Sequence, residues 1–135
     1  MSSGEATVAV DCESCPGDAV GRFQETVFQG RLEWSVAHSC AGGTTEICGR
    51  GTPPEPWRQA LLDQCGTYRL RLQGTNPSDV GVMKVLRAGG TALGEVRRAL
   101  ATLRGDGLAG TEAELRLLAA RLEDAGAGTR LSREQ

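Results

Sequence analysis

Five cysteines and one histidine carry the metal-binding and nucleophilic chemistry of this 135-residue chain, and all six lie before Gly66. Cys12 and Cys15 form a C-x2-C pair, which is half of a metal-binding signature. Cys40 and Cys48 could complete a tetrahedral set, and His38 could substitute for either, because thiolate and imidazole both suit Zn²⁺. The expected metal set is therefore Cys12, Cys15, Cys40 and Cys48 with His38 as the substitute ligand. Against it stands the wide second spacing, with seven residues between Cys40 and Cys48. Two other readings remain open: reduced, partly buried thiols that pack as small apolar groups, and a thiol-redox pair at Cys12 and Cys15. An odd cysteine count and no secretory signal argue against a full disulfide framework.

Nucleophilic catalysis has less support. On a strand His38 and Cys40 share a face, yet no orienting group or oxyanion site can be placed beside them, so a non-enzymatic protein is expected. Cys48-Gly-Arg-Gly51 lacks the spacing and the Lys-Ser/Thr pair of a phosphate loop and reads as a turn.

These side chains need elements to position them. Ala6–Val10 is a β-prone run that ends in the cysteine-bearing loop Cys12–Asp18, whose Pro and Gly favour a turn. Thr26 to His38 reads as one strand with Phe28, Leu32, Trp34 and Val36 on one face and Gly30 as a gap. Ala41–Thr44 then turns the chain, and Thr45–Cys48 returns as a hairpin partner. Pro53, Pro54 and Pro56 end the sheet, and Trp57 to Cys65 has the spacing of a short helix stopped by Gly66.

Charge divides the chain at the same point. The net charge is −2; residues 1–66 hold 4 Arg and 9 acids, and 67–135 hold 11 bases and 8 acids, giving −5 and +3. Two units are expected, 1–66 and 67–135. No run of about 18 apolar residues is present, so neither a membrane nor export is expected and cytoplasm is the default.

Thr67–Gln73 alternates Tyr68, Leu70 and Leu72 with Arg69 and Arg71, the pattern of a half-buried strand. Asn76-Pro77 opens a helix through Val82, Val85 and Leu86 that stops at Gly89-Gly90. Thr91 is expected to cap a second helix with Leu93, Val96, Leu100 and Leu103 in one stripe. Gly107–Gly110 supplies a brief strand, and Thr111–Glu114 is a capping box for a third helix through Leu115, Leu118, Leu122 and Ala125. Thr129–Ser132 is the last strand. The fold class is therefore α+β, a small β-rich unit followed by a compact β-α-α-β-α-β domain.

That order, with Val80-Gly-Val-Met-Lys84-Val-Leu-Arg87, Leu93-Gly-Glu95-Val-Arg97 and the segment from Glu112-Ala-Glu-Leu to Leu122-Glu-Asp-Ala-Gly126-Ala, resembles the C-terminal domain of the bacterial ribosomal stalk protein. The resemblance covers about residues 67–133. It implies a protein-recognition role and carries the partner-binding face over to Met83, Lys84, Arg87, Leu93 and Arg97. The link Ala88–Ala92 is about one residue shorter than in that family, and the family's N-terminal dimerisation helix and hinge are replaced by the cysteine-bearing half. The resulting expectation is an adaptor, immunity or resistance type of protein that recognises an acidic protein surface. A zinc-binding module and a small thiol-redox protein are the alternatives. Nucleic acid is not an expected partner of the chain, because the half that would hold the metal is acidic and would repel phosphates.

Overall fold

The computed structural model describes residues 3–15, 19–73, 79–88 and 90–134. The expected helix start at Asn76-Pro77 and the stop at Gly89 lie outside them. The described chain is α+β, with two antiparallel sheets. It forms two compact units, Met1–Gly66 with Thr111–Glu114, and Thr67–Gly110 with Leu115–Gln135.

The first unit is a meander of β1 (Ser3–Val10), β2 (Ala19–Phe28), β3 (Arg31–Cys40) and β4 (Gly43–Arg50), in the order β1-β2-β3-β4, followed by α1 (Glu55–Cys65). β2 shows strict alternation: Ala19, Gly21, Phe23 and Glu25 are buried and the residues between them are exposed. Ala6, Val8, Phe23, Val36 and Leu61 form the core, with Trp34 and Trp57 packed against it. Phe23, Trp34 and Trp57 make a mutual aromatic trio with centroids 5.5 to 6.3 Å apart. Helix α1 is also tied to the edge of β1, where the Gln64 side chain accepts from Thr7 N–H (2.8 Å) and donates to Thr7 C=O (2.7 Å).

Two expectations for this unit are corrected. Residues 26–38 are two strands, because Gln29 (φ 51°) and Gly30 (φ 72°) make a two-residue turn with both φ positive. Phe28 opposes Arg31, so Phe28 falls on the solvent face, 54% exposed, instead of joining Trp34 and Val36. The loop reading of Cys48–Gly51 also fails: Cys48, Gly49 and Arg50 continue β4, paired with Ser35, Trp34 and Glu33.

The second unit holds β5 (Tyr68–Gln73), α2 (Asp79–Arg87), α3 (Leu93–Arg104), β6 (Leu108–Gly110), α4 (Glu112–Asp124) from Leu115 onward, and β7 (Gly128–Arg133), with sheet order β6-β5-β7. Leu70, Val82, Leu100, Leu103, Leu115 and Leu122 lead its separate core. The capping box at Thr111 forms: Glu114 N–H donates to Thr111 Oγ1 (3.2 Å) and Thr111 N–H to Glu114 Oε1 (3.0 Å). Helix α4 ends at Gly126 (φ 92°), with Ala127 N–H bonded to Leu122 C=O, the left-handed glycine stop. Thr91 does not cap α3. The N-cap is Ala92, without a side-chain bond, because the first helical hydrogen bond runs from Val96 N–H to Ala92 C=O. Leu93 lies outside the buried stripe of α3, 41% exposed. No helix among the described residues is long and apolar enough to cross a membrane.

Candidate metal centre

Three segments of the first unit converge at one end of its sheet. The loop after β1 supplies Cys12 and Cys15, held in a tight turn by Cys15 N–H donating to Cys12 C=O (3.2 Å). Strand β3 supplies His38 and Cys40, which share a face because they are two residues apart. The β3–β4 turn supplies the surface on which the loop rests. Gly42 lies directly beneath Ser14, and a Cβ there would overlap Ser14 Oγ and Cβ.

The donor atoms of Cys12, Cys15, His38 and Cys40 all lie within 4.8 Å of one another. Cys12 Sγ is 3.7 Å from Cys40 Sγ, and Cys15 Sγ is 3.3 Å from His38 Nε2. A Zn–S bond of about 2.3 Å places thiolates at neighbouring tetrahedral corners about 3.8 Å apart, so these separations suit a tetrahedral ion. The histidine is oriented for the task. His38 Nδ1 lies 2.6 Å from the Val20 carbonyl, an acceptor that requires the proton on Nδ1 and leaves the Nε2 lone pair facing the sulfurs. A ring N–H given to a backbone carbonyl is the usual way that metal-ligating histidines are aligned.

The protons of the cluster are shared unevenly. A hydrogen bond from Cys15, aided by the backbone at Ser14, lowers Cys12 to about 7. Cys15, facing the sulfurs of Cys12 and Cys40, is pushed up to about 12. The Val20 carbonyl, with help from Cys40, holds His38 above the usual imidazole value. A group of donors that crowds negative charge in this way is relieved by a dication at its centre.

Cys48 is not part of the cluster. In the register of β3 with β4 it opposes Ser35, on the face away from Trp34, Val36, His38 and Cys40. It is exposed and donates to Glu46 Oε1 (3.3 Å), and that carboxylate raises its pKa. The fourth member of the cluster is therefore the substitute, His38. The two-residue turn Ala41-Gly42 was the available signal: once Cys40 pairs with Gly43, every odd residue of β4 shares the face of His38 and every even one leaves it. The Val20 carbonyl had no signal in the sequence. Cys65 stands apart, with its Sγ donating to Glu5 C=O (3.1 Å).

Cys12 and His38 line an open groove of about 950 Å³ together with Val10, Val36 and Ile47. Four protein ligands fill a tetrahedral ion, which leaves no position for a water or a substrate and matches structural sites rather than catalytic ones.

The residues expected to bind a partner lie in the second unit. Lys84, Arg87 and Arg97 are exposed. Met83 is not at the centre of an exposed face: it is half-buried and packed against the core with Val85 and Leu86. Exposed Val80 (60%) and Leu93 (41%) are the apolar groups on these helices. No protein-family model, curated protein or solved structure matches the chain.

Proposed function

We propose that the first unit is a zinc-stabilised, non-catalytic module in which Cys12, Cys15, His38 and Cys40 hold one structural Zn²⁺. The observation that carries this reading is the convergence of four donor atoms within 4.8 Å from a loop and a strand, with His38 presenting Nε2 to the sulfurs. Bound there, the ion supplies cross-linking energy to a sheet whose core is five buried side chains. Metal content of protein purified under reducing conditions tests the reading. About one zinc per chain is expected, lost in Cys12→Ser, Cys15→Ser, His38→Ala and Cys40→Ser and kept in Cys48→Ser. Cobalt substitution should give thiolate charge-transfer absorption that Cys48→Ser leaves intact. Absence of metal in the wild type would leave the thiol-redox reading of Cys12 and Cys15.

For the second unit we propose recognition of an acidic protein surface, the role that its resemblance to the ribosomal stalk domain implies. Val80, Lys84 and Arg87 are exposed at i, i+4 and i+7 of α2, and Leu93 and Arg97 at i and i+4 of α3, so each helix offers an apolar group beside cations. Arginine is favoured at interfaces, and charge complementarity there mainly sets the association rate. Reversal of Lys84 and Arg87 to Glu should slow capture of a partner without unfolding the protein. Equal association rates would make this face a solvated surface only.

A further inference from the structure

We propose that the solvent face of the β6-β5-β7 sheet binds the phosphate backbone of a single-stranded nucleic acid. Alternation along these strands turns Leu70, Leu72, Leu108 and Leu131 to the core, so the positions between them face solvent. There Arg71 directly opposes Arg130 and Arg69 opposes Ser132. Like charges directly across a strand pair repel, and among the described residues neither Arg71 nor Arg130 has a carboxylate within ion-pair distance. Folding alone gives no reason to place two arginines opposite each other; an anion between them does.

The guanidinium groups of Arg69 and Arg71 are held in place. Arg69 donates to the Gly107 carbonyl (3.2 Å) and Arg71 Nε to the Asp106 carbonyl (3.0 Å). Gly107, at φ 99°, fits between the two arginine stems, where a Cβ would come within 3.0 Å of Arg71 Cγ and 3.3 Å of Arg69 Cβ. Each arginine keeps further N–H donors for a ligand, in the fork geometry that matches phosphate oxygens. Arg69 also reaches Glu134 at 3.5 Å, a contact between partly exposed groups that a competing polyanion can displace.

Composition selects the anion. The remaining exposed positions on this face are Gln73, Ala109, Gly128 and Ser132, which are small or polar. A protein interface needs buried aromatic or aliphatic anchors, and this face has none. A sugar-phosphate chain needs cations, hydroxyl and amide donors and room for close approach, all of which are present. Arg69 and Arg71, two residues apart on one strand, stand about 6.7 Å apart, comparable to the separation of successive phosphates on an extended strand. The face has no aromatic platform for bases, so binding should be indifferent to sequence and strongly dependent on salt. It belongs to the half of the sequence with net charge +3, not to the half with net charge −5.

Fluorescence anisotropy of a labelled, mixed-sequence single-stranded RNA titrated with the full-length protein tests the proposal. Binding is expected at low salt, weakening with a log–log slope of about −2, or roughly 0.7 per phosphate for three arginines. Arg130→Glu should weaken binding on the order of tenfold or more with no loss of thermal stability, because it replaces a cross-strand repulsion with an attraction. Arg71→Gln should weaken it without creating an acid, and reversal of Lys84 and Arg87 should leave it unchanged. The proposal is overturned if the wild type does not bind at low salt, if Arg130→Glu binds as tightly, or if poly-glutamate competes as well as RNA of equal charge.

Discussion

Glu25 is the residue whose position is hardest to explain by packing. It is fully buried on the core face of β2, its Oε1 accepts a hydrogen bond from Thr111 Oγ1, and its Oε2 has no partner among the described residues. Desolvation is the main reason its pKa is raised, with the Glu114 carboxylate adding to it and the Thr111 bond and Arg58 opposing it. Arg58 itself is engaged by Glu114, at 2.7 and 3.0 Å. An acid with a raised native pKa binds a proton in the folded state that the unfolded chain has released, so stability falls as pH rises from the ordinary carboxyl value of 4.5 through the native one. Gln at position 25 keeps an acceptor for Thr111 and removes the charge. Glu25→Gln should therefore raise stability at neutral pH by about 1–3 kcal/mol, the usual penalty for a buried polar group left unsatisfied. The gain should vanish as pH approaches the carboxyl range. Urea unfolding followed by tryptophan fluorescence across that range measures it, and a gain independent of pH would mean that Glu25 is already neutral at every pH tested.

At the scale of elements, the metal centre depends on how closely one turn approaches one loop. Gly42 matters here because it has no Cβ: any side chain would collide with Ser14 and lift the Cys12–Cys15 loop away from Cys40. Gly42→Ala should lower zinc affinity by about tenfold to a hundredfold, the range found when a supporting residue outside the ligand set is lost. Ser14→Gly in the same chain removes both clashing atoms and should restore binding. Competition with a chromophoric chelator reads both variants, and failure of the double variant to recover would show that the turn acts by another route. The Gln29-Gly30 turn sets the other register. A two-residue link places Phe28 against Arg31, and a shift by one residue would exchange the faces of every side chain in β3, His38 and Cys40 included.

For the whole molecule, the decisive feature is that each unit has its own core. Both tryptophans, Trp34 and Trp57, pack in the first unit, whereas among the described residues the helices α2, α3 and most of α4 lie in the second. Structural zinc contributes about 10 kcal/mol or more in small zinc domains, which exceeds the roughly 5 kcal/mol by which a small domain is stable. A strong chelator should therefore shift tryptophan emission to longer wavelength and leave most of the helical circular dichroism in place, and zinc should reverse the shift. Tryptophan emission unaffected by chelation would remove the metal from the stability of the first unit.

Most elements between residues 67 and 134 were legible without coordinates, because they announce themselves locally: alternation at Tyr68–Leu72, the capping box at Thr111 and the glycine stop at Gly126 each involve residues within a few positions of one another. Short spacing also marked Cys12 and Cys15 as half of a metal-binding signature and put His38 and Cys40 on one strand face. It could not choose between His38 and Cys48 as the fourth ligand. That choice depends on the β3–β4 register, which the length of the turn at Ala41-Gly42 sets and which places Cys48 opposite Ser35. Tertiary structure alone also supplied the Val20 carbonyl that orients His38, the fit of Gly42 under Ser14, and the pairing of Arg71 with Arg130. Each joins residues from different strands or loops, and no pattern within one segment encodes it.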